Sequence, residues 1–113
     1  LALAAMLKGL GITVDCLPLL DVRDPDGHDI IGDRSYGIGP MQVAALGRAT
    51  LAGLQAGGVV GVVKHIPGHG RAKADSHLEL PVVDASRAEL ERDLEPFRTL
   101  NDAPMAMTAH VTY

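Results

Sequence analysis

The sequence is poor in cysteine, in net basic charge and in long apolar runs. Its 113 residues include one cysteine, which excludes an internal disulfide and a cysteine-rich metal site. Ten Lys and Arg residues stand against 14 Asp and Glu residues, and the net charge of −4 argues against a nucleic-acid partner. No apolar run approaches the roughly 18 residues that would cross a bilayer. The sequence therefore predicts a globular domain that has neither nucleic acid nor membrane as its partner.

The sequence begins in a predicted helix and ends just after a predicted strand. The opening LALAAMLKGLGITV does not begin with Met, lacks the basic region of a signal peptide, and is typical of a helix that leads into a strand. The closing MTAHVTY stops just past another predicted strand. We therefore expect residues 1–113 to be a partial domain, truncated at both ends. In the apolar run ITVDCLPLL, Cys16 is expected to be a small buried residue.

Three short apolar runs, at 12–20, 59–65 and 104–111, alternate with helical patterns. They lack period-two alternation, which is typical of strands buried on both faces of a parallel sheet. A helix is predicted from about Pro40 to Gly57. Strand–helix–strand units of this kind indicate an α/β fold with right-handed crossovers.

The segment SRAELERDLEPFRTL predicts the helix between the second and third strands. Ser86 and Glu89 have the spacing of a capping box at its start. Leu90, Leu94 and Phe97 are spaced to share one face, which predicts an apolar face turned toward the core.

Polar residues collect where the predicted strands end. Asp21 and Arg23 follow the first strand, Lys64 and His65 end the second, and His110 lies near the end of the third. In folds built from parallel strands, ligands bind beyond these carboxyl ends. Lys64 and His65 are therefore either donors for ligand hydroxyls or the point where a strand runs into solvent.

The stretch KHIPGHGRAKADSH, residues 64–77, holds three of the chain's five histidines. His69 lies between two glycines in a predicted tight turn, which favours a structural, hydrogen-bonding role. Asp75 and His77 are one residue apart, so in an extended segment both side chains point to the same side. The carboxylate can then fix the imidazole tautomer while the other ring nitrogen gives or takes a proton. Spacing alone leaves both a catalytic dyad and a solvated loop open.

Two further interpretations concern metal binding and Arg34. His65, His69, His77 and Asp75 are suitable zinc ligands by type, but Pro67 and Gly68 separate the first two, so these two do not form a helical His-x-x-x-His pair. Arg34, in GDRSYG, could clamp a ligand hydroxyl or carboxylate, or could be a surface ion-pair partner.

Five motifs in order, LPLLDV, IGDRSYG, VVKHIPGHG, ADSHLELPVVD and MTAHVTY, make a more specific pattern. With them the chain resembles the N-terminal barrel domain of glycoside hydrolase family three, most closely its bacterial β-N-acetylglucosaminidase branch. The resemblance covers essentially the whole chain; Ile66 stands where the family usually has Phe. It implies that about three strand–helix units of a (β/α)8 TIM barrel are present, out of the roughly 250 residues that a barrel needs.

The resemblance also implies an activity and roles for particular residues. The branch removes terminal, non-reducing β-linked N-acetylglucosamine with retention of configuration, without a cofactor or metal. Arg34, Lys64 and His65 would bind sugar hydroxyls in the −1 subsite. His77 would be the general acid/base and Asp75 its dyad partner, a histidine in place of the usual carboxylic acid.

Two parts of the family's site have no match in this sequence. The nucleophile is an Asp after a later strand, and an upstream sugar-binding Asp is also absent. Asp21, Asp33 and Asp102 do not match the nucleophile motif. The resemblance further implies a cytoplasmic enzyme of peptidoglycan recycling acting on muropeptide-like substrates. The alternatives are another enzyme of the family such as a β-glucosidase, a non-catalytic sugar-binding module, or a metal site.

Overall fold

The computed structural model describes residues 1–26, 31–73 and 77–113. In chain order these residues form α1 Ala2–Gly9, β1 Val14–Asp15, a 3-10 turn Gly32–Arg34, α2 Pro40–Ala56, β2 Val60–Ile66, α3 Arg87–Thr99 and β3 Met105–Thr108. The order of helices and strands predicted from the sequence is confirmed.

The three strands form one parallel sheet in the order β1-β2-β3. Val14 is in register with Val60, and Val62 is in register with Met105. Helix α2 lies between β1 and β2 in the chain, and α3 lies between β2 and β3, so each parallel connection passes through a helix. The parallel α/β fold predicted from the sequence is therefore confirmed.

The regular ladder of β1 is shorter than the predicted strand 12–20, although the chain stays beside β2. Leu19 forms an isolated parallel bridge with Lys64, and the N–H of Leu20 donates to the carbonyl of Lys64 at 2.7 Å. Pro18 lies between the two paired stretches and has no N–H to donate. Residues 19 and 20 therefore lie beside the carboxyl end of β2, and Asp21 follows them directly.

The helix boundaries agree with the local sequence signals. Helix α2 begins with Pro40 and ends before Gly57. At α3 the capping box is present: the N–H of Glu89 donates to Oγ of Ser86 at 3.2 Å, and the N–H of Ser86 donates to Glu89 at 2.8 Å. Within the described ranges, none of the helices combines the length and apolar character that a membrane crossing requires.

The buried face of α3 differs from the predicted one. Its buried residues are Asp93, Pro96 and Phe97, whereas Leu90 and Leu94 are only partly covered. The helix is rotated so that a carboxylate faces inward, because Asp93 meets the guanidinium of Arg71 there.

The main core lies between the sheet and the two helices α2 and α3. It consists of Leu20, Val22, Val43, Ala44, Val63, Phe97 and Leu100. A smaller cluster of Ala4, Leu54 and Val59 joins α1 to the end of α2. Burial of Leu20, Val22 and Val63 in the main core holds the segment after the Leu19–Lys64 bridge against the carboxyl-terminal half of β2.

The prediction that Cys16 is buried is wrong. Its side chain is exposed, and Val14, two residues earlier, is 42% exposed. Residues two apart in a strand share a face. Val60, in register with Val14, is also 38% exposed, so this part of the sheet is open to solvent.

Candidate functional site

The candidate site is organised around the buried carboxylate of Asp21, two residues after the Leu19–Lys64 bridge. Its Oδ1 accepts the backbone N–H of His65 at 3.1 Å and of His69 at 2.8 Å. Its Oδ2 lies 2.7 Å from Nδ1 of the His65 ring. A fully buried carboxylate requires such partners because it has lost its hydration. Asp21 therefore holds both ends of the turn from His65 to His69.

This turn packs tightly against neighbouring backbone. Gly68 has a φ of +133°, in the region that favours glycine, and a Cβ there would lie 3.1 Å from Cβ of Asp93. A Cβ on Gly70 would lie 1.8 Å from the carbonyl oxygen of Val22. Gly68 is thus required by its backbone conformation beside α3, and Gly70 by its close approach to the backbone of Val22.

The hydroxyl of Tyr113 donates to the carbonyl of Gly68. Burial and the carboxylates of Asp21 and Asp93 raise the pKa of Tyr113, so its hydroxyl keeps its proton and remains a donor. The segment after β3 is thereby tied to the turn after β2.

Lys64 and His65 lie where the sequence placed them, at the end of β2, and both are half-buried. The rings of His65 and His69 meet edge to face with centroids 5.8 Å apart. His69 is itself buried at 4% exposure.

Arg34 is exposed and ends the 3-10 turn. The next residue, Ser35, donates from Oγ to the carbonyl of Asp21 at 2.7 Å. Asp21 therefore joins the segment that carries Arg34 to the strand end that carries Lys64 and His65. His77 is exposed, in a turn beyond this loop, whereas Asp75 lies outside the described residues.

Arg71, the first residue after PGHG, connects the loop after β2 to α3 and to the segment that contains Asp24. Its guanidinium lies 2.7 Å from Asp93, 2.9 Å from Asp24 and 3.4 Å from Glu89. Burial alone would lower the pKa of Arg71, but the hydrogen bond to Asp93 and the three carboxylate charges raise it. Burial raises the pKa of Asp93, and Arg71 only partly opposes this shift.

A cavity of about 500 Å³ lies at the other end of the sheet, where β2 begins. Its lining includes Arg48 of α2, Val60 of β2 and Asp102 of the α3–β3 connection. Arg48 and Asp102 form an ion pair at its edge, 2.9 Å apart. The amino-terminal face of a barrel serves stability rather than chemistry, so this cavity is distinct from the candidate site.

Sequence reasoning missed the roles of Asp21, Asp93 and Tyr113. One signal was present for Asp21: a carboxylate that ends an apolar strand must find donors in the fold. For Asp93 and Tyr113 no local signal exists, because their partners Arg71 and Gly68 lie 22 and 45 residues away.

Comparison with known proteins identifies the family. The model of the glycosyl hydrolase family 3 N-terminal domain matches residues 1–113. The chain belongs to glycosyl hydrolase family 3. A β-hexosaminidase of Nitrosomonas eutropha is 42% identical over 114 residues, which cover 98% of this chain and 32% of that protein.

Two solved structures of the family are similar in fold. NagZ from Neisseria gonorrhoeae, in complex with N-trifluoroacetyl-D-glucosamine, has a TM-score of 0.89 and 43% identity, covering 98% of this chain and 33% of its own. A β-N-acetylglucosaminidase from Paenibacillus sp. str. FPU-7 has a TM-score of 0.91 and 42% identity, covering 97% of this chain and 22% of its own. The chain thus spans about a third or less of the relatives it matches, and its α/β fold is that of the family's N-terminal barrel domain.

Proposed function

We propose that these residues are part of a longer retaining exo-β-N-acetylglucosaminidase. The observation that carries the proposal is the junction at Asp21, which brings the Arg34 segment and the Lys64–His65 strand end to one rim of the sheet. Relatives at about 40% identity are β-hexosaminidases, which supports a glycoside hydrolase. A structural relative bound to an N-acetylglucosamine analogue supports a carbohydrate substrate.

In this mechanism, Arg34, Lys64 and His65 bind hydroxyls of the sugar in the −1 subsite. A carboxylate from outside these residues attacks the anomeric carbon while protonated His77 donates to the leaving oxygen. Neutral His77 then takes a proton from water, which releases the sugar from the covalent intermediate. Asp75 orients His77 throughout.

The natural substrate in this proposal is a muropeptide or another peptidoglycan fragment, and the enzyme is cytoplasmic. Both follow from resemblance to the peptidoglycan-recycling branch. Fractionation of the source cells, with activity assayed in each fraction, tests the location. Hydrolysis of purified muropeptides tests the substrate.

The test of function uses the full-length enzyme that carries these residues. Wild type should cleave an aryl β-N-acetylglucosaminide and leave an aryl β-glucoside essentially intact. His77→Ala should lower kcat for the first substrate by about 100-fold or more, as expected for loss of a general acid/base. Full activity of His77→Ala would show that His77 is not the proton donor.

The same assay decides between the alternatives. Preference for the β-glucoside would favour a β-glucosidase, and no turnover of either substrate with retained sugar binding would favour a binding module. Residues 1–26, 31–73 and 77–113 contain no group of three His, Cys, Asp or Glu side chains placed to hold a metal ion. The metal alternative would predict that a chelator changes activity, whereas the proposed mechanism predicts no change.

A further inference from the structure

The two oxygens of Asp21 face N–H groups of a single turn. Oδ1 accepts two backbone N–H groups, and Oδ2 lies 2.7 Å from the ring nitrogen Nδ1 of His65. The carboxylate is fully buried, and the His65 side chain is 18% exposed. The imidazole is thus fixed on its inner side while part of it reaches the surface.

The position of the ring proton follows from this contact. An ionised carboxylate only accepts hydrogen bonds, so a contact of 2.7 Å requires the proton on Nδ1. In the neutral ring the other nitrogen, Nε2, then carries a lone pair and can only accept. Lys64, the preceding residue, supplies donors alone.

We infer that Asp21 is a positioning residue that fixes His65 as the Nδ1–H tautomer and presents Nε2 to the substrate as a hydrogen-bond acceptor. This inference rests on the proposed function, in which His65 binds a sugar hydroxyl. Lys64 and His65 then offer a donor and an acceptor at the same strand end, matching hydroxyl groups that both accept and donate.

The variant that tests it is Asp21→Asn, which keeps nearly the same shape. The amide oxygen can still accept the backbone N–H groups of His65 and His69. The amide NH2 would then face Nδ1 of His65, and the ring proton must move to Nε2. Ser35→Ala is the matched control, because it removes a hydrogen bond to the carbonyl of Asp21 and leaves the carboxylate contacts in place.

The first measurement is the ¹⁵N shift of both ring nitrogens of His65 in the full-length enzyme. Wild type and Ser35→Ala should show a protonated Nδ1 and a bare Nε2, and Asp21→Asn should show the reverse. A proton on Nε2 in wild type, in the Nε2–H tautomer or in the imidazolium, overturns the inference without any variant, so the test remains decisive even if Asp21→Asn does not fold.

The second measurement is kcat/KM, which tests whether the tautomer of His65 affects substrate recognition. Asp21→Asn should lower kcat/KM for the aryl β-N-acetylglucosaminide by about tenfold, and should add little to the loss caused by His65→Ala. Fully additive losses would overturn the role of His65 as the intermediary. An inactive wild type with the expected Nδ1–H tautomer would instead count against the proposed function.

Discussion

Gly70 lies where the loop after β2 passes the backbone of Val22. A Cβ at this position would stand 1.8 Å from the carbonyl oxygen of Val22 and 2.7 Å from its carbonyl carbon. Both atoms are backbone, so no side-chain rotation can relieve the contact. Because Val22 directly follows Asp21, any displacement would also disturb the carboxylate that holds His65.

Gly70→Ala in the full-length enzyme should therefore lower the free energy of unfolding by about 3 kcal/mol and lower the melting temperature. Gly9→Ala is the control, because a Cβ on Gly9 meets nothing within 4 Å. Thermal unfolding of the two variants beside wild type makes the comparison. Equal melting temperatures for Gly70→Ala and wild type would contradict the packing described here.

At the same scale, single positions show what the sequence could predict. Lys64 and His65 were placed at the strand end because an apolar run followed by charge is a local signal. Asp21 was recognised as a rim residue, but its partners lie 44 and 48 residues further along. Cys16 was predicted wrongly because burial depends on what covers a strand's face, which the run ITVDCLPLL does not encode.

At the scale of elements, Arg71 ties the loop after β2 to α3. Glu89, which contacts Arg71, also accepts the N–H of Ser86 at 2.8 Å in the capping box. The first residue after PGHG and the first residue of the α3 cap therefore meet at one carboxylate. The loop after β2 therefore has Arg71, near its start, and Ser86, at its end, in contact with the same carboxylate.

Arg71→Ala should lower the free energy of unfolding by about 3 kcal/mol near neutral pH, because it leaves the buried Asp93 carboxylate without its main partner. The pKa of Asp93 is already raised by burial and would rise further, so ionised Asp93 destabilises the fold above that pKa. The loss should shrink as pH falls and Asp93 binds a proton.

Urea unfolding at neutral and at mildly acidic pH measures this dependence. Arg87→Ala is the control, since its side chain is 94% exposed at the start of the same helix. An Arg71→Ala loss that is the same at both pH values would rule out the buried Asp93 carboxylate as its cause.

The helices were predictable because their signals are local. Pro40 and Gly57 bound α2, and Ser86 with Glu89 begins α3, as the structure confirms. The inward face of α3 was not predictable in the same way, because apolar periodicity does not reveal that Asp93 turns inward toward a distant arginine.

At the scale of the whole molecule, much apolar surface of the described residues is open. All four residues of β3 are exposed, with Met105 at 45% and Met107 at 39%. Both outer strands pair with β2 alone within the described ranges. Unpaired strand edges next to apolar surface favour association with other chains.

The 113-residue chain made alone should therefore be poorly folded, prone to self-association and inactive. The three strands of the described residues do not close a barrel of eight, and the sequence matches no nucleophile motif of the proposed mechanism. Size-exclusion chromatography and hydrolysis of the aryl β-N-acetylglucosaminide, with the full-length enzyme in parallel, measure both properties. Measurable turnover by the purified 113-residue chain would refute the expectation.

The large sequence separation between Asp21 and its partners His65 and His69 also determines when this rim of the sheet can assemble during synthesis. Its partners follow 44 and 48 residues later, so a nascent chain emerging from the ribosome cannot form these bonds until β2 and its turn have followed. Closing so long a loop costs entropy before the contacts compensate, which slows the step. Docking of β2 beside the Leu19–Asp21 segment and assembly of the candidate rim are thus a single folding event, so the rim cannot form ahead of the sheet.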